Sequence, residues 1–186
     1  MRLKSDEMLL MELVEKRGQA LEELARRYER PLLGLACGML GGREDLARDM
    51  VQESWIRVIR FASSFNGRCR VKTWLYQIVI NQCRSLRGAR AADSEESTGS
   101  LIDVAHASSQ RGAVEEAIGN ETKSSLRKAV ASLAEEKREV ILLCYHEGLT
   151  HEEVAEVLGI PLGTVKSRLN SALNALRKIM PLEVDS

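Results

Sequence analysis

No apolar run in this 186-residue chain approaches the roughly 18–20 residues that cross a bilayer. Its start, MRLKSDEMLLMELVEK, is broken by charges where a secretory leader would be apolar. These absences predict a cytoplasmic protein with no membrane insertion. The four cysteines, Cys37, Cys69, Cys83 and Cys144, form no CxxC and no paired Cys/His spacing. Reduced thiols are therefore expected, not a disulfide framework. Cys144, His146 and His151 lie close in sequence. However, helix positions two apart face different sides and His151 follows a break, so no metal site is expected. Acidic residues clustered for a divalent cation are lacking, as is a Cys–His arrangement for thiol chemistry. The expectation is a non-enzyme with no catalytic residue and no cofactor.

Net charge is also absent, with 27 Lys and Arg against 27 Asp and Glu, but the balance is local. Residues 1–90 hold 17 basic and 11 acidic side chains, residues 91–120 hold 1 and 6, and residues 121–186 hold 9 and 10. A basic front, an acidic middle and a balanced back therefore sum to zero. The sharpest absence is acid between Ser54 and Arg90. That stretch carries Arg57, Arg60, Arg68, Arg70, Lys72, Arg84, Arg87 and Arg90, together with Trp55, Phe61, Phe65, Trp74 and Tyr76. Cations interleaved with rings suit unpaired nucleic acid, since the cations follow phosphates and each stacked base contributes about 1–3 kcal/mol. Core packing is the competing reading for the rings, and it is preferred for Trp55 and Trp74.

Strand alternation and internal repeats are missing too, and helical spacing dominates. Leu21, Leu24, Ala25, Tyr28, Leu32 and Leu35 recur at steps of three and four until Gly41-Gly42. A second helix is predicted from Glu44 to Phe61, with Leu46, Met50, Trp55 and Val58 or Ile59 inward. A third is predicted from Thr73 as N-cap, with Leu75, Ile78, Val79 and Leu86 inward. Residues 91–120 are small, polar and acidic and read as a flexible linker. The pattern resumes with Leu126, Val130 and Leu133, then Val140, Leu143 and Cys144. The predicted fold is all-α, with two small helical domains (1–90 and 121–186) joined by that linker.

The last segment has a specific form. Thr150 and Glu153 make a T-x-x-E capping box, Val154, Ala155 and Leu158 point inward, and Gly159-Ile160-Pro161 forms a turn. A long helix follows from Thr164, with Val165, Leu169, Leu173 and Leu176 inward. This is a helix-turn-helix, whose second helix presents its N-terminal residues to the major groove. Pro161, Leu162, Gly163, Thr164, Lys166, Ser167 and Arg168 occupy that position. Lys166 and Arg168 suit guanine edges or phosphates, and Thr164 and Ser167 suit backbone oxygens. A helical hairpin that touches no DNA is the plainer alternative.

Two segments resemble the sigma-70 family, in particular its extracytoplasmic-function (ECF) group. One is DLARDMVQESWIRVIR (Asp45–Arg60), followed by F-N-G-R and by VKTWLYQIVIN (Val71–Asn81). The other is SLAEEKREVILLCYHEGLTHEEVAEVLGIPLGTVKSRL (Ser132–Leu169). The resemblance implies a promoter-specificity subunit that binds core RNA polymerase. It implies that Asp49, Val51, Gln52 and Glu53 dock on the clamp helices of the largest subunit. The stretch Phe61–Arg90 would then melt and hold the −10 strand through Phe61, Phe65, Arg68, Arg70, Lys72, Asn81, Arg84 and Arg87, with Asn81 at a flipped base. The back lobe would read the −35 element through Pro161, Gly163, Thr164, Lys166, Ser167 and Arg168 and meet the flap of the second-largest subunit. An anti-sigma partner is implied as well.

The chain departs from the family pattern in two places. Ala134 stands where proline is frequent, and Asn170, Ser171 and Ala172 follow the S-R pair where basic or aromatic residues are common. Glu95, Glu96 and Asp103 make the linker a candidate for repelling or mimicking DNA. Arg68 and Arg70 flank Cys69, a setting that lowers a thiol pKa, so Cys69 is a candidate redox thiol beside the simpler reading of a plain one. A helix-turn-helix regulator that does not join polymerase remains the alternative function. It leaves D-x-V-Q-E and the basic, aromatic stretch without a role.

Overall fold

The computed structural model describes residues 4–15, 18–96 and 124–180, with side chains in its fourth helix described to Arg90. All regular structure among these residues is helical. The order is α1 (Asp6–Val14), α2 (Gly18–Met39), α3 (Glu44–Phe61), α4 (Val71–Glu96), α5 (124–131), α6 (Glu135–Ile141), α7 (His151–Leu158) and α8 (Leu162–Ile179). A 3-10 turn, Ala62–Ser64, ends α3, and a π-helical turn, Leu142–His146, extends α6.

Local signals set most of the boundaries. Ser5 accepts from the Met8 amide at 3.2 Å and opens α1, with Asp6 and Glu7 at the positive end of its dipole. The α2–α3 corner is a Schellman turn. Gly41 takes φ 67° and the Gly42 amide donates to the Cys37 carbonyl at 2.8 Å. Thr150 and Glu153 form the expected capping box at 3.2 and 2.9 Å, and Gly159 closes α7 at φ 65°.

Several starts differ from expectation. The charged N-terminal stretch forms α1, which seats Leu9 and Leu10 in the core. Helix α4 begins at Val71, so Thr73 is not its cap; it lies in the first turn, 4% exposed. Helix α4 also runs to Glu96, past the Arg90 boundary. Helix α8 begins at Leu162 after Pro161, not at Thr164. The linker carboxylates Glu95, Glu96 and Asp103 lie outside the residues whose side chains are described.

Helices α1–α4 form an N-terminal lobe around Leu24, Leu32, Leu35, Met39, Val58, Leu75, Tyr76 and Val79, and α5–α8 form a C-terminal lobe around Leu143, Val154, Val165 and Ala172. One continuous apolar core joins the two. The backbones approach closely where α2 carries small residues. A Cβ at Gly34 would lie 2.6 Å from His146 Cε1, and a Cβ at Gly38 would lie 2.6 Å from Leu142 Cδ2. Beside them Arg138, 7% exposed, ties the lobes together. It donates to the carbonyl of Met39 at 3.0 Å and to those of Val130, Ala131 and Leu133 on its own side.

Candidate nucleic-acid interface

Helix α3 turns one stripe to solvent. Asp49, Gln52 and Glu53 are exposed on it, and so are Ile56 (48%) and Ile59 (50%). Val51, expected in the docking set, is only 4% exposed and packs in the core, because its neighbours in phase are the buried Ala47, Ser54 and Val58. Its expected contact is corrected to a structural one. The two isoleucines are the exposed apolar side chains beside the carboxylates. Glu53 meets Arg57, one turn on, at 4.0 Å.

The next helix carries two distinct faces. On the first, Trp74, Ile78 and Asn81 recur at helical spacing and meet Arg57, Phe61 and Ser64 across an open cleft of about 220 Å³. Phe61 is 45% exposed at the rim. Phe65 lies behind, its ring centroid 5.4 Å from that of Trp74 at 56°. Asn81 is exposed and its amide makes no hydrogen bond among the described residues, so donor and acceptor are both free. Arg57, one of the cations of the acid-free stretch, lines this cleft as well as approaching Glu53.

On the second face the expected DNA-binding arginines meet the other lobe. Arg84 Nε and Nη2 each stand 2.6 Å from a carboxylate oxygen of Glu139, which is 1% exposed. This bidentate pair holds the Arg84 guanidinium above its usual pKa, against the opposing effect of burial. Arg87 lies 3.5 Å from Glu135, and Arg70 lies 3.3 Å from Glu153. Thr73 Oγ1 donates to Glu156 at 3.5 Å, Gln77 donates to the Glu156 carbonyl at 3.0 Å, and the Tyr76 hydroxyl donates to Glu147. Arg70, Arg84 and Arg87 are therefore not gathered around Asn81. Lys72 sits over the Tyr76 ring, 5.8 Å from its centroid, while Arg68 is exposed on the turn before α4.

That packing also decides Cys69. Its thiol is pushed up, first by burial and then by Glu156, which corrects the expectation of a thiol lowered by Arg68 and Arg70. Arg70 pairs with Glu153, and the charge that acts on the thiol is Glu156, a carboxylate of the other lobe.

In the C-terminal lobe, Pro161, Gly163, Lys166 and Ser167 are exposed along the first turns of α8, and Thr164 is half-buried. Pro161 supplies no side-chain cap and no acidic residue occupies the first turn. The amides and dipole at this end thus face solvent beside Lys166, an arrangement suited to phosphate. Sequence reasoning had found the side chains but not the uncapped terminus. The other polar groups are partly engaged. Ser167 donates to the Thr164 carbonyl at 3.0 Å, and Arg168 pairs with Glu136 at 3.2 Å.

Comparison with known proteins bears on both lobes. The family model for sigma-70 region 2 matches residues 24–92, and that for sigma-70 region 4 matches residues 129–178. The chain is 30% identical over 190 residues to the ECF RNA polymerase sigma-E factor of Escherichia coli (strain K12), covering 95% of each. This chain belongs to the sigma-70 family. Its likeness to the RNA polymerase sigma-H factor of Pseudomonas aeruginosa is 29% over 181 residues, 94% of this chain and 93% of that one. The sigma factor RpoE of Bartonella quintana, solved in complex with the anti-sigma factor NepR, matches with TM-score 0.68 and 27% identity over 89% of this chain and 99% of that one. CnrH, solved in complex with the cytosolic domain of CnrY, shares the fold at TM-score 0.70 and 21% identity, covering 98% and 100%.

As an ECF-type sigma-70 family member, the chain is a factor for transcription initiation directed through RNA polymerase. Among the described residues, no helix is long and apolar enough to cross a membrane. Ile56, Ile59 and Ser64 were not among the expected site residues, and Arg57 lies between the two surfaces, 4.0 Å from Glu53 and at the lining of the cleft. The i, i+3 spacing of Ile56 and Ile59 around the motif's carboxylates was the available signal. Nothing local marks Ser64. It joins the cleft because the 3-10 turn after α3 bends the chain back toward α4.

Proposed function

We propose that this sigma-70 family chain recognises promoters in two parts, with residues 1–90 serving polymerase docking and the −10 element, 91–120 linking, and 121–186 serving the −35 element. The observation that carries this reading is Asn81, exposed and without a hydrogen-bond partner among the described residues, at an open cleft walled by Phe61, Trp74 and Ile78. A flipped base needs a hydrogen-bonding edge, apolar faces and a nearby cation, and unstacking it costs a few kcal/mol. Arg57 supplies the cation at the cleft. Phe65 acts by supporting Trp74, and Arg68, Arg70, Lys72, Arg84 and Arg87 follow the strand's phosphates.

The α3 stripe is the proposed seat for the clamp helices of the largest polymerase subunit. Asp49, Gln52 and Glu53 meet basic partners there, and Ile56 and Ile59 bury apolar surface. The uncapped start of α8 enters the −35 major groove with Lys166 foremost. Pro161, Gly163 and Thr164 approach the backbone, while Arg168 reaches DNA only by leaving Glu136. The C-terminal lobe also meets the polymerase flap. By likeness to the Bartonella quintana factor, an anti-sigma protein is a further partner, and the role is non-enzymatic.

The test is transcription by purified core polymerase plus this chain on a library of randomised promoters. Enrichment of paired −10 and −35 sequences is expected. A chain that binds duplex DNA yet neither co-purifies with core polymerase nor initiates transcription refutes the proposal in favour of a stand-alone regulator.

A further inference from the structure

Six polar groups on the second face of α4 and the turn before it meet the other lobe of the same chain, five through hydrogen bonds and Arg87 through an ion-pair contact at 3.5 Å that makes no hydrogen bond. The groups on α4 and the turn before it are Arg70, Thr73, Tyr76, Gln77, Arg84 and Arg87. The groups opposite are Glu153, Glu156, Glu147, Glu139 and Glu135. A carboxylate and a phosphate are equivalent to an arginine fork, since each offers two anionic oxygens in one plane to two parallel N–H groups. From Arg70 to Arg87 the contacts extend over about 25 Å of helix, at 1.5 Å per residue. A spaced row of carboxylates over that length resembles the charge pattern of an extended single strand.

The row is uneven in strength. The Arg70 side chain is 78% exposed, so its pair with Glu153 is screened by solvent. Glu139 differs, because both its oxygens are held by Arg84 at 2.6 Å and the side chain is 1% exposed. Its burial comes from the meeting of the two lobes. Separation would return the carboxylate to water and free the Arg84 fork for a phosphate.

Resting on the assignment of this helix to −10 strand binding, we propose that the carboxylate face of the C-terminal lobe is an internal competitor for the strand, with Glu139 on Arg84 as the latch. The free chain is closed. A single strand gains the second face of α4 only when the lobe withdraws, so its apparent affinity is reduced by the fraction of chain that is open. Binding of the strand and separation of the lobes are one equilibrium seen from two sides.

The experiment uses the full chain, a fluorescent single-stranded DNA oligonucleotide enriched from the promoter library, and small-angle scattering of the same samples. The wild type is expected to scatter as a compact particle with a radius of gyration near 16 Å, the value for a folded chain of this length, and to expand when the strand is added. Glu139→Gln removes the charge with little change in shape and is expected to bind the strand about tenfold more tightly. A folded Glu139→Gln chain with unchanged strand affinity overturns the proposal. If that variant loses helicity by circular dichroism, Glu135→Gln decides, since the Glu135 side chain is 34% exposed. A severalfold tighter strand supports the competition, and an unchanged one overturns it. Failure of the −10 assignment has its own signature. No form of the chain then binds the strand at all, and the competition falls with it.

Discussion

Replacing Arg138 by alanine removes one guanidinium that serves three stretches of chain at once. It donates to Met39 at the end of α2, to Val130 and Ala131 at the end of α5, and to Leu133 in the following turn. Two of these bonds, to Met39 at 3.0 Å and to Leu133 at 2.8 Å, are fully buried. A buried carbonyl deprived of its donor costs about 1–3 kcal/mol, so the two together predict about 2–6 kcal/mol. Water can reach the other two acceptors, which places the expectation near 4 kcal/mol, a large part of the roughly 5–15 kcal/mol that keeps a domain folded. Urea unfolding followed by circular dichroism measures it. Arg138→Lys should recover little, because a compact ammonium cannot span acceptors from three segments. Lys128→Ala, exposed on α5, should stay within about 0.5 kcal/mol of wild type. An Arg138→Ala chain within about 1 kcal/mol of wild type would refute the claim that this side chain ties the lobes together.

Asn81→Ala should weaken −10 strand binding while core polymerase still co-purifies; equal loss of both would contradict its place in the cleft. Ile56→Ser with Ile59→Ser should reverse that pattern, losing polymerase with unchanged thermal stability, and retained polymerase would move the docking surface elsewhere. Lys166→Ala should weaken −35 duplex binding by about 1–3 kcal/mol if it reads a base edge; an equal loss on every sequence, measured by anisotropy, would mark a phosphate contact. Burial pushes the Cys83 thiol from 9.0 to about 12, Arg87 opposing and Glu135 and Glu139 adding to the rise. The folded state is thus fully favoured below about pH 9 and loses stability as pH climbs from 9 toward 12, where the unfolded thiol ionises first. A thiol reagent should leave Cys83 unmodified at mildly alkaline pH until urea unfolds the chain, and rapid labelling in the native state would contradict its burial.

Helical periodicity was sufficient for the fold class, because each helix buries a stripe whose spacing is written in leucines and valines. The capping box at Thr150 and Glu153 could be read directly, since both partners are local. Expectation failed where partners are distant. Val51 reads as part of a motif, yet its facing is decided by Ala47 and Ser54 one turn away on either side and Val58 two turns on. Glu139 and Arg138 lie in the charged run E-E-K-R-E, where nothing local marks burial. Their burial depends on Arg84 and Met39, which lie 55 and 99 residues earlier. Cys69 follows the same logic, as its nearest charge of consequence is a carboxylate from the far lobe.

The two glycines of α2 bear on how interchangeable the halves of such factors are. Gly34 and Gly38 leave room for His146 and Leu142, and a Cβ at either position would lie 2.6 Å from their side-chain ends and require them to shift. A chimera joining this front half to the back half of a relative would therefore carry a steric code from one parent and its answer from the other. Lobe exchange should be better tolerated when the residues at positions 34, 38, 142 and 146 travel together, even though two of them lie in each half.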